Sequence, residues 1–402
     1  MDEKLYAHTS PDSAGECQLL VDHLNNVATR AEQFSARFGM GSWGRALGLL
    51  HDAGKVSDAF QRRLTGDVRR VDHSTAGAKL AVERYDSAGI LMAYALAGHH
   101  GGLPNGVLRT YDGTGRTPLE DRLNSAIEPY DRFYEFVDSG EVRLPDKVEL
   151  GYPLIPTRMK ARENDTTARC FSIYALGRML YSSLVDADYL DTEEYMSPNV
   201  AAIRKANDYA DIAELRALLD QHLAKLAEGS DDTPVNQARN AVLEDCCAAA
   251  DEEQGIFSLT VPTGGGKTLS SLAFALSHAE MHGLGRVIIA IPFVSVVEQS
   301  AAVLKGIFGV TNVLEHHSNY EFDDVGEDDE YAQRLATQNW DAPIVVTTNV
   351  QLFESLFANK PGKSRKVHNM ANSVIILDEA QTLPDNLLLP SLAMLEELTL
   401  GY

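Results

Sequence analysis

The sequence predicts a multidomain protein in which an all-helical bundle precedes an α/β lobe with a parallel sheet. The first hundred residues alternate amphipathic runs with short turns and carry almost no strand signal. Beyond residue 232, short β-rich runs such as "GIFSLTVP", "RVIIAIPF", "APIVVTTN" and "SVIILDEA" alternate with helix-length segments. Between the two regions, the polar stretch "GSDDTP" (Gly229–Pro234) is the best linker candidate. We therefore expect two domains, at residues 1–232 and 233–402.

Composition narrows the possible function classes. The 402 residues exceed one ordinary core, since a domain spans roughly 100–200 residues. A net charge of −23 argues against broad, non-specific nucleic-acid binding, so such contact needs local grooves or a partner. The four cysteines show neither zinc-ribbon spacing nor a disulfide framework. Because no signal peptide or membrane-length apolar run is visible, we expect a cytoplasmic protein without membrane contact.

The rest of the first region divides into a loop-rich part and a helical part. From Gly101 to about Arg169, turn-forming sequences predict an insertion over the bundle. Helical periodicity returns in "CFSIYALGRMLYSSLVDADYLDTEEY", and "IAELRALLDQHLAKLAE" predicts a helical connector that leads into the linker.

The first region is organised around "GRALGLLHDAGK" (Gly44–Lys55), which places His51 beside Asp52 on an apolar, helix-like run. Half of the twelve histidines fall within the first hundred residues, most of them joined to similar apolar patterns. Histidine and carboxylate side chains that converge from separate helices suit first-row transition ions, because imidazole favours these over Mg. The pattern indicates a metal site inside the bundle.

The residue types favour a two-metal hydrolase. Asp52 is the natural bridge, since one carboxylate can contact two ions roughly 3.5–4 Å apart. The remaining expected ligands are His23, His51 and Asp188 for one ion, and His73, His99 and His100 for the other. We expect two divalent ions (Mn, Fe, Co or Ni) that activate water and neutralise the charge of a cleaved phosphodiester.

Three nearby residues have separate interpretations. Lys55, one helical turn after His51, could reach a non-bridging phosphate oxygen. Asp186 competes with Asp188 as the last ligand, and we favour Asp188 because it continues the apolar stripe of Leu184. We do not expect His8 to be a ligand.

The second region contains a candidate phosphate-binding loop, "LTVPTGGGKTLSS", placed between a predicted strand and a helix. Its glycines would let backbone N–H groups face the phosphates, with the helix dipole behind them. Lys267 would pair with the β and γ phosphates, and the Thr268 hydroxyl would bind Mg²⁺. Val261 replaces the first glycine of the strict pattern, so the match is to the looser "PTGxGKT" form. The ATP-binding candidates in this loop are Thr263, Gly264, Gly265, Gly266, Lys267 and Thr268.

A second nucleotide motif, "SVIILDEAQ", is an apolar strand that ends in two acids. Asp378 can hold Mg²⁺ through water, and Glu379 can orient the attacking water for γ-phosphate hydrolysis. Together with the preceding loop, the motif indicates ATP and Mg²⁺ as ligands.

These motifs carry a resemblance to a known family. In order, "PTGGGKT", "IPFVSVVEQ", "TTNVQ" and "DEAQ" resemble motifs I, Ia, Ib and II of the first RecA-like lobe of a superfamily 2 helicase of the DEAD/DEAH-like type. The "DEAQ" box and "EHHSN" (Glu315–Asn319) fit one branch in particular. With the histidine cluster, nearly the whole chain resembles the CRISPR-associated helicase-nuclease of type I systems, an HD nuclease fused to a helicase. "YAHTSP" is similar to its I-C subtype.

The resemblance implies further roles. The family pattern of His, His-Asp, His, His-His and a late Asp falls on the metal candidates named above. Gln237 would read adenine. Contacts to the DNA backbone would come from Pro292, Ser295, Thr347 and Thr348.

We expect a metal-dependent single-strand DNA nuclease coupled to an ATP-dependent helicase. By resemblance, it would degrade target DNA in CRISPR antiviral defence after recruitment by the crRNA-guided surveillance complex. The alternatives are an HD phosphohydrolase acting on nucleotides and a catalytically incomplete binding fragment. The chain ends at Tyr402 before any second-lobe motif, so we expect this polypeptide alone to bind ATP poorly and not to translocate.

Overall fold

The computed structural model describes residues 4–10, 16–66, 70–106, 117–149, 164–262, 264–318 and 327–402. The chain forms two compact units. The first comprises Met1–Ala202 with Phe357–His368, and the second comprises Ile203–Leu356 with Asn369–Tyr402. Within the described ranges, no helix combines the length and the hydropathy that crossing a membrane requires.

The first unit is mainly helical, as the sequence predicts. Two short antiparallel strands precede the helices, although the sequence shows almost no strand signal there. The elements are β1 (Tyr6–His8), β2 (Gln18–Leu19), α1 (Leu20–Ala36), α2 (Gly41–Leu50), α3 (Asp58–Leu64), α4 (Ser74–Gly98), α5 (Leu119–Asn124), α6 (Arg132–Asp138) and α7 (Thr166–Met196). Helix α8 (Pro198–Lys205) follows.

Close packing of α1 against α2 sets the position of the predicted histidines. The buried face of α1 repeats every three or four residues and includes Leu20, His23, Leu24 and Val27. Gly48 of α2 lies directly against this helix, since an added Cβ would stand 2.3 Å from the Ala28 Cα. A side chain at that position would force the two helices apart. Glycine therefore lets the end of α2 approach the histidine face of α1.

The "GRALGLLHDAGK" run is not one continuous helix. Helix α2 ends at Leu50, His51 caps it, and a short 3₁₀ turn follows at Ala53–Val56. Asp52 therefore lies where the chain turns, and it points into the unit with no exposed surface.

A segment distant in sequence completes the first unit. Residues 357–368 come from between two elements of the second unit, yet they pack against α7. Arg365 Nε donates to Asp186 Oδ1 at 2.7 Å, and the Ser182 hydroxyl donates to the Ser364 carbonyl at 2.6 Å. The His368 ring stacks on Phe34 with centroids 4.4 Å apart. We call this segment, Phe357–His368, the strap.

The second unit has the predicted parallel sheet. Its four strands lie in the order β4-β5-β3-β6, and each paired neighbour is parallel. Its elements are α9 (Ile212–Glu228), α10 (Pro234–Ala249), α11 (Lys267–His282), β3 (Arg286–Ile291), α12 (Val294–Phe308), β4 (Val313–His316), α13 (Glu327–Asn339), β5 (Ile344–Thr348), α14 (Asn349–Phe357), β6 (Ser373–Leu377) and α16 (Asp385–Gly401). Helix α15 (Pro361–Ser364) belongs to the strap.

One predicted strand is wrong. The "GIFSLTVP" run before the phosphate loop has no strand hydrogen bonding, and its residues are mostly exposed. An apolar, β-rich run forms a strand only when its backbone pairs with a neighbour, and within the described residues this run has no such partner. The sheet instead includes β4, which the sequence interpretation did not name as a strand.

The predicted fold class is confirmed: a helical bundle is followed by an α/β lobe with a parallel sheet. The predicted connector is helix α9, whose Leu215 and Leu219 pack into the core beside β3. The linker Gly229–Pro234 is a short turn between α9 and α10, both in the second unit. The domain boundary near residue 232 stays a prediction.

Candidate active site

The seven candidate metal ligands come together inside the first unit. They form two groups, and within each group the potential ligand atoms all lie within 4.8 Å of one another. One group is His23, His51 and Asp188, and the other is Asp52, His73, His99 and His100. The side chains come from α1, the end of α2, the start and end of α4, and α7. Residues far apart in sequence therefore meet because four helices pack on one centre.

Asp52 lies between the two groups and presents one oxygen to each. Its Oδ2 is 3.3 Å from the Nε2 atoms of both His23 and His51. Its Oδ1 is 3.4 Å from His99 Nε2 and 3.5 Å from His73 Nε2. A carboxylate placed in this way would be able to bridge two ions.

The rings point their Nε2 atoms inward because their Nδ1 atoms are bonded outward. His51 Nδ1 donates to the Gly48 carbonyl at 2.8 Å, and His99 Nδ1 donates to the Leu96 carbonyl at 2.7 Å. Each of these carbonyls belongs to the residue three positions before its histidine, in the helix that ends at that histidine. With Nδ1 protonated, each Nε2 offers its lone pair to the centre.

Asp188, and not Asp186, lies at the centre. Asp188 Oδ1 is 3.6 Å from the Nε2 atoms of both His23 and His51. Asp186 faces the other side of α7, where it binds Arg365 of the strap and lies 3.6 Å from His368 Nε2. His8 belongs to neither group, although its ring packs edge-on against His23 with centroids 5.0 Å apart.

Buried atoms without partners indicate that the centre suits a cation. Among the described residues, Asp52 Oδ1 and His99 Nε2 are buried and have no hydrogen-bond partner. Leaving such groups unsatisfied costs about 1–3 kcal/mol each. Imidazoles with carboxylates are the donors that divalent transition ions prefer. The residues present therefore fit the two expected ions.

Burial and the neighbouring charges keep most of these side chains in the protonation state that can bind a metal ion. Burial lowers the pKa of His73 to about 4, and the neighbouring His99 together with burial lowers that of His100 to about 3. Burial disfavours the charge on Asp52, but Lys55 and His51 hold its pKa well below the usual range. His51 is the exception, since Asp52 and Asp188 overcome burial and raise its pKa to about 10.

Lys55 is buried rather than directed toward open solvent. Its ammonium lies 2.6 Å from Asp52 Oδ2 and donates to the Ala7 carbonyl at 3.3 Å. In this arrangement Lys55 compensates the charge of the bridging carboxylate. Its contact with a phosphate oxygen stays a prediction.

The phosphate-binding loop lies in the second unit, at the start of α11. Gly264 and Gly266 have φ angles of 84° and 86°, so the turn uses the left-handed region that glycine adopts freely. Arg239 Nε donates to the Gly264 carbonyl at 2.8 Å. Thr263 lies outside the described residues, and Thr268 is exposed on the first turn of α11.

The loop meets the acids that follow β6. Lys267 Nζ donates to Glu379 Oε1 at 2.9 Å, which raises the pKa of the lysine and lowers that of the glutamate. The Glu379 N–H donates to Asp378 Oδ1 at 3.1 Å. The two predicted nucleotide motifs therefore adjoin in space. Gln237 is exposed on α10, where its amide donates to Asp232 at 2.8 Å.

The predicted DNA-contacting residues lie at or just after the carboxyl ends of two adjacent strands, β3 and β5. Ser295 is exposed on the first turn of α12, just after Pro292. Thr347 is fully buried, and its hydroxyl donates to the His316 carbonyl at 2.6 Å. Thr348 caps α14 by accepting from the Gln351 N–H at 3.1 Å. Both threonine hydroxyls are thus engaged within the protein, and their contact with DNA stays a prediction.

Comparisons with known proteins agree with this architecture. The family described as "Cas3, HD domain" matches residues 4–146, and "DEAD/DEAH box helicase" matches residues 237–399. The chain is therefore similar to the Cas3 HD domain in its first part and to a DEAD/DEAH box helicase in its second. The CRISPR-associated nuclease/helicase Cas3 of Haloferax volcanii is 23% identical over 415 aligned positions, which cover 83% of this chain and 42% of that protein.

Solved Cas3 structures share the fold. The crystal structure of T. fusca Cas3-ATP superposes with a TM-score of 0.64 at 16% identity and covers 99% of this chain and 48% of its own. Another match is a chain of a structure described as "CRISPR RNA-guided surveillance complex, pre-nicking", with a TM-score of 0.50 at 16% identity. The matched region covers 95% of the present chain and 44% of the chain in that complex. The chain thus spans less than half the length of these relatives.

Some residues of this centre were missed from the sequence. Asp191 Oδ2 accepts from His23 Nδ1 at 2.7 Å, and it lies three residues after Asp188 on α7. That spacing places both acids on one helix face and could have revealed it. Gln18, which donates to Asp191 at 2.8 Å, carries no comparable sequence signal.

Proposed function

We propose that this chain is a metal-dependent single-strand DNA nuclease joined to the first lobe of an ATP-dependent superfamily 2 helicase. In this proposal it degrades target DNA in CRISPR antiviral defence after recruitment by a crRNA-guided surveillance complex. The observation that carries the proposal is Asp52, whose two oxygens face two separate groups of imidazoles. Similarity to the Cas3 HD domain and to the Haloferax volcanii Cas3 nuclease/helicase supports DNA as the substrate.

The ligand assignment follows the two groups. His23, His51 and Asp188 would hold one ion, His73, His99 and His100 the other, and Asp52 would bridge them. Two divalent ions bound there supply an activated water and positive charge for a phosphodiester under attack. Mn, Fe, Co or Ni suit this donor set.

The protein's own groups set the geometry of the reaction. The carbonyls of Gly48 and Leu96 fix the rings of His51 and His99, so little rearrangement is needed when ligands bind. Lys55 holds Asp52 in place through its 2.6 Å ion pair, and its ammonium would be the group that binds a phosphate oxygen of the DNA. His100, the exposed member of the second group, marks the side from which a DNA strand enters.

For the nucleotide lobe we propose ATP with Mg²⁺. Lys267 leaves Glu379 to bind the β and γ phosphates, and the released glutamate orients the attacking water. Asp378 and Thr268 hold Mg²⁺, the loop of Thr263 and Gly264–Gly266 binds the phosphates, and Gln237 reads adenine. Pro292, Ser295, Thr347 and Thr348 line the DNA path. The fold shared with a chain of the pre-nicking surveillance complex supports recruitment to such a complex.

A nuclease assay tests the proposal. Protein loaded with Mn²⁺ is incubated with circular single-stranded DNA and, separately, with a panel of nucleotides. We expect the circle to be cut. Because loss of even an outer partner of a ligand costs about 10–100-fold, Asp52→Ala should reduce cutting by more than about 100-fold. Asp58→Asn, which alters an exposed acid paired with Arg132, is the matched control.

The other outcomes identify the alternatives. Hydrolysis of nucleotides with an intact DNA circle would assign the chain as an HD phosphohydrolase. Absence of both reactions, with Mn²⁺ bound, would assign it as a binding fragment.

A further inference from the structure

The imidazoles of the metal centre differ in what holds their outer nitrogens. His51 and His99 donate to backbone carbonyls. His73 Nδ1 lies 3.3 Å from the Val71 carbonyl, a longer contact. His23 Nδ1 instead donates to a carboxylate, Asp191, at 2.7 Å. Among these four rings, only His23 has a charged outer partner.

Asp191 is built into the fold rather than placed there by chance. The residue is 3% exposed, and Gln18 Nε2 donates to the same oxygen that accepts from His23. Asp191 follows Asp188 by three residues on α7, so the two acids share one face of the helix. Asp188 is a candidate metal ligand, and Asp191 accepts the hydrogen bond from His23, which is another. Strand β2, helix α1 and helix α7 all contribute to this arrangement.

A carboxylate behind an imidazole has two physical effects. It fixes the ring with Nδ1 protonated, and it makes Nε2 a stronger donor to a cation because negative charge is passed toward the ring. A neutral carbonyl fixes the ring equally well but transfers less charge. The group of His23, His51 and Asp188 therefore contains an imidazole that donates more strongly to a cation than those of the other group.

The surroundings increase this difference. The first group is wholly buried and includes Asp188 in addition to the facing oxygen of Asp52, whose charge Lys55 partly compensates. In the second group Asp52 is the one carboxylate, and His100 is exposed to solvent. Two nearby carboxylates attract a divalent ion more strongly than one, and burial reduces screening of that attraction.

We propose that Asp191 is a positioning residue that makes the ion site of His23, His51 and Asp188 the tighter of the two. The two sites would then fill in order, first this one and then the site of Asp52, His73, His99 and His100. The inference rests on the proposed two-metal centre and adds a ranking of its sites and the residue responsible.

Calorimetric titration of the metal-free 402-residue chain with Mn²⁺ tests the ranking. The wild type should show two phases with one ion in each. Asp191→Asn keeps the shape and a hydrogen-bond acceptor but removes the charge. It should weaken the tight phase by about 10–100-fold and leave the weak phase within error.

Glu194→Gln is the matched control. Glu194 is a carboxylate on the same helix, and it joins α7 to α1 through Arg30 away from the centre. This variant should leave both phases unchanged. If Glu194→Gln weakened the tight phase as much as Asp191→Asn does, loosening α1 from α7 would be sufficient to weaken Mn²⁺ binding. That result would overturn the specific role of Asp191.

A spectroscopic readout separates charge transfer from simple support. With ¹⁵N-labelled histidine and Zn²⁺ as a diamagnetic probe, the Nδ1 resonance of His23 should move in Asp191→Asn toward those of His51 and His99. Unchanged ¹⁵N shifts would contradict the proposed effect on the ring.

The outcomes separate this inference from the proposed function. If the wild type binds no Mn²⁺, both fail. If it binds two ions with equal affinity, or if Asp191→Asn weakens the weaker phase, the two-metal function stands and the inference is overturned. Should Asp191→Asn not fold, Gln18→Met retains the carboxylate without its donor, and it should weaken the tight phase by a smaller factor. No change in that phase would likewise overturn the inference.

Discussion

The two candidate centres of this chain are built in opposite ways. The metal centre is buried among helices, and atoms such as Asp52 Oδ1 have no hydrogen-bond partner among the described residues. The phosphate loop lies at the surface, and Lys267 and Glu379 neutralise each other. A buried centre depends on tertiary packing, and its polar atoms without hydrogen-bond partners are costly in free energy. An exposed loop depends on local backbone geometry, and water and salt screen the interactions between its charges. Mutations should therefore affect the two centres very differently.

The largest effect is expected for Arg365→Met. Removing one partner of a buried ion pair typically costs about 3–5 kcal/mol, and Asp186 and Arg365 are almost fully buried. Urea unfolding in a Trp340→Phe background would report on the first unit, because Trp43 is then the remaining tryptophan. The double variant Asp186→Leu with Arg365→Met should recover part of the loss. Equal stability of wild type and Arg365→Met would show that the strap is not needed by the first unit.

A second prediction concerns metal removal. Because an ion would bind the folded centre and not the unfolded chain, Mn²⁺ at 100 times its Kd should raise the free energy of unfolding by about 2.7 kcal/mol. The Trp43 transition should shift, and EDTA should reverse the shift. In Asp52→Ala, which lacks the carboxylate that faces both groups, the response of stability to Mn²⁺ should be much smaller. An undiminished response in this variant would place the ions elsewhere.

A third, intermediate effect is expected for Gly48→Ala. The new methyl group would meet the Ala28 backbone, and overpacking of this kind costs about 1–3 kcal/mol. It should also weaken Mn²⁺ binding, because α1 carries His23 and α2 leads into His51. Gly41→Ala on the same helix is the control, since its added Cβ would make an ordinary contact of 3.5 Å. Similar losses for both variants would count against the importance of close helix packing at Gly48.

The smallest effect is expected for Glu379→Gln. The ion pair with Lys267 is exposed, so its loss should leave the unfolding transition of the second unit unchanged within error. Under the proposed function the same variant should bind ATP and hydrolyse it more slowly, because the group that orients water is altered. Thermal unfolding and nucleotide binding measured on one preparation would check both statements. A clear loss of stability would contradict the contrast drawn between the two centres.

The sequence alone determined the fold class and the candidate ligands, because these depend on local patterns. Helical periodicity, β-rich runs and adjacent pairs such as His51 with Asp52 can be read without knowing which segments meet. The connector Ile212–Glu228 was predicted to the residue for the same reason. The "GIFSLTVP" strand was wrong because a strand also needs a neighbour, which local sequence does not specify.

Only the tertiary structure decided how these residues are used. It placed Asp188 at the centre and paired Asp186 with Arg365 of the strap, although the two acids lie two positions apart on one helix. It brought Asp191 and Gln18 behind His23, and it paired Lys55 with Asp52. The physical reason is that burial and direction depend on contacts between residues up to about 180 positions apart, such as Asp186 and Arg365. A local pattern can nominate a ligand, but packing decides which atom faces it.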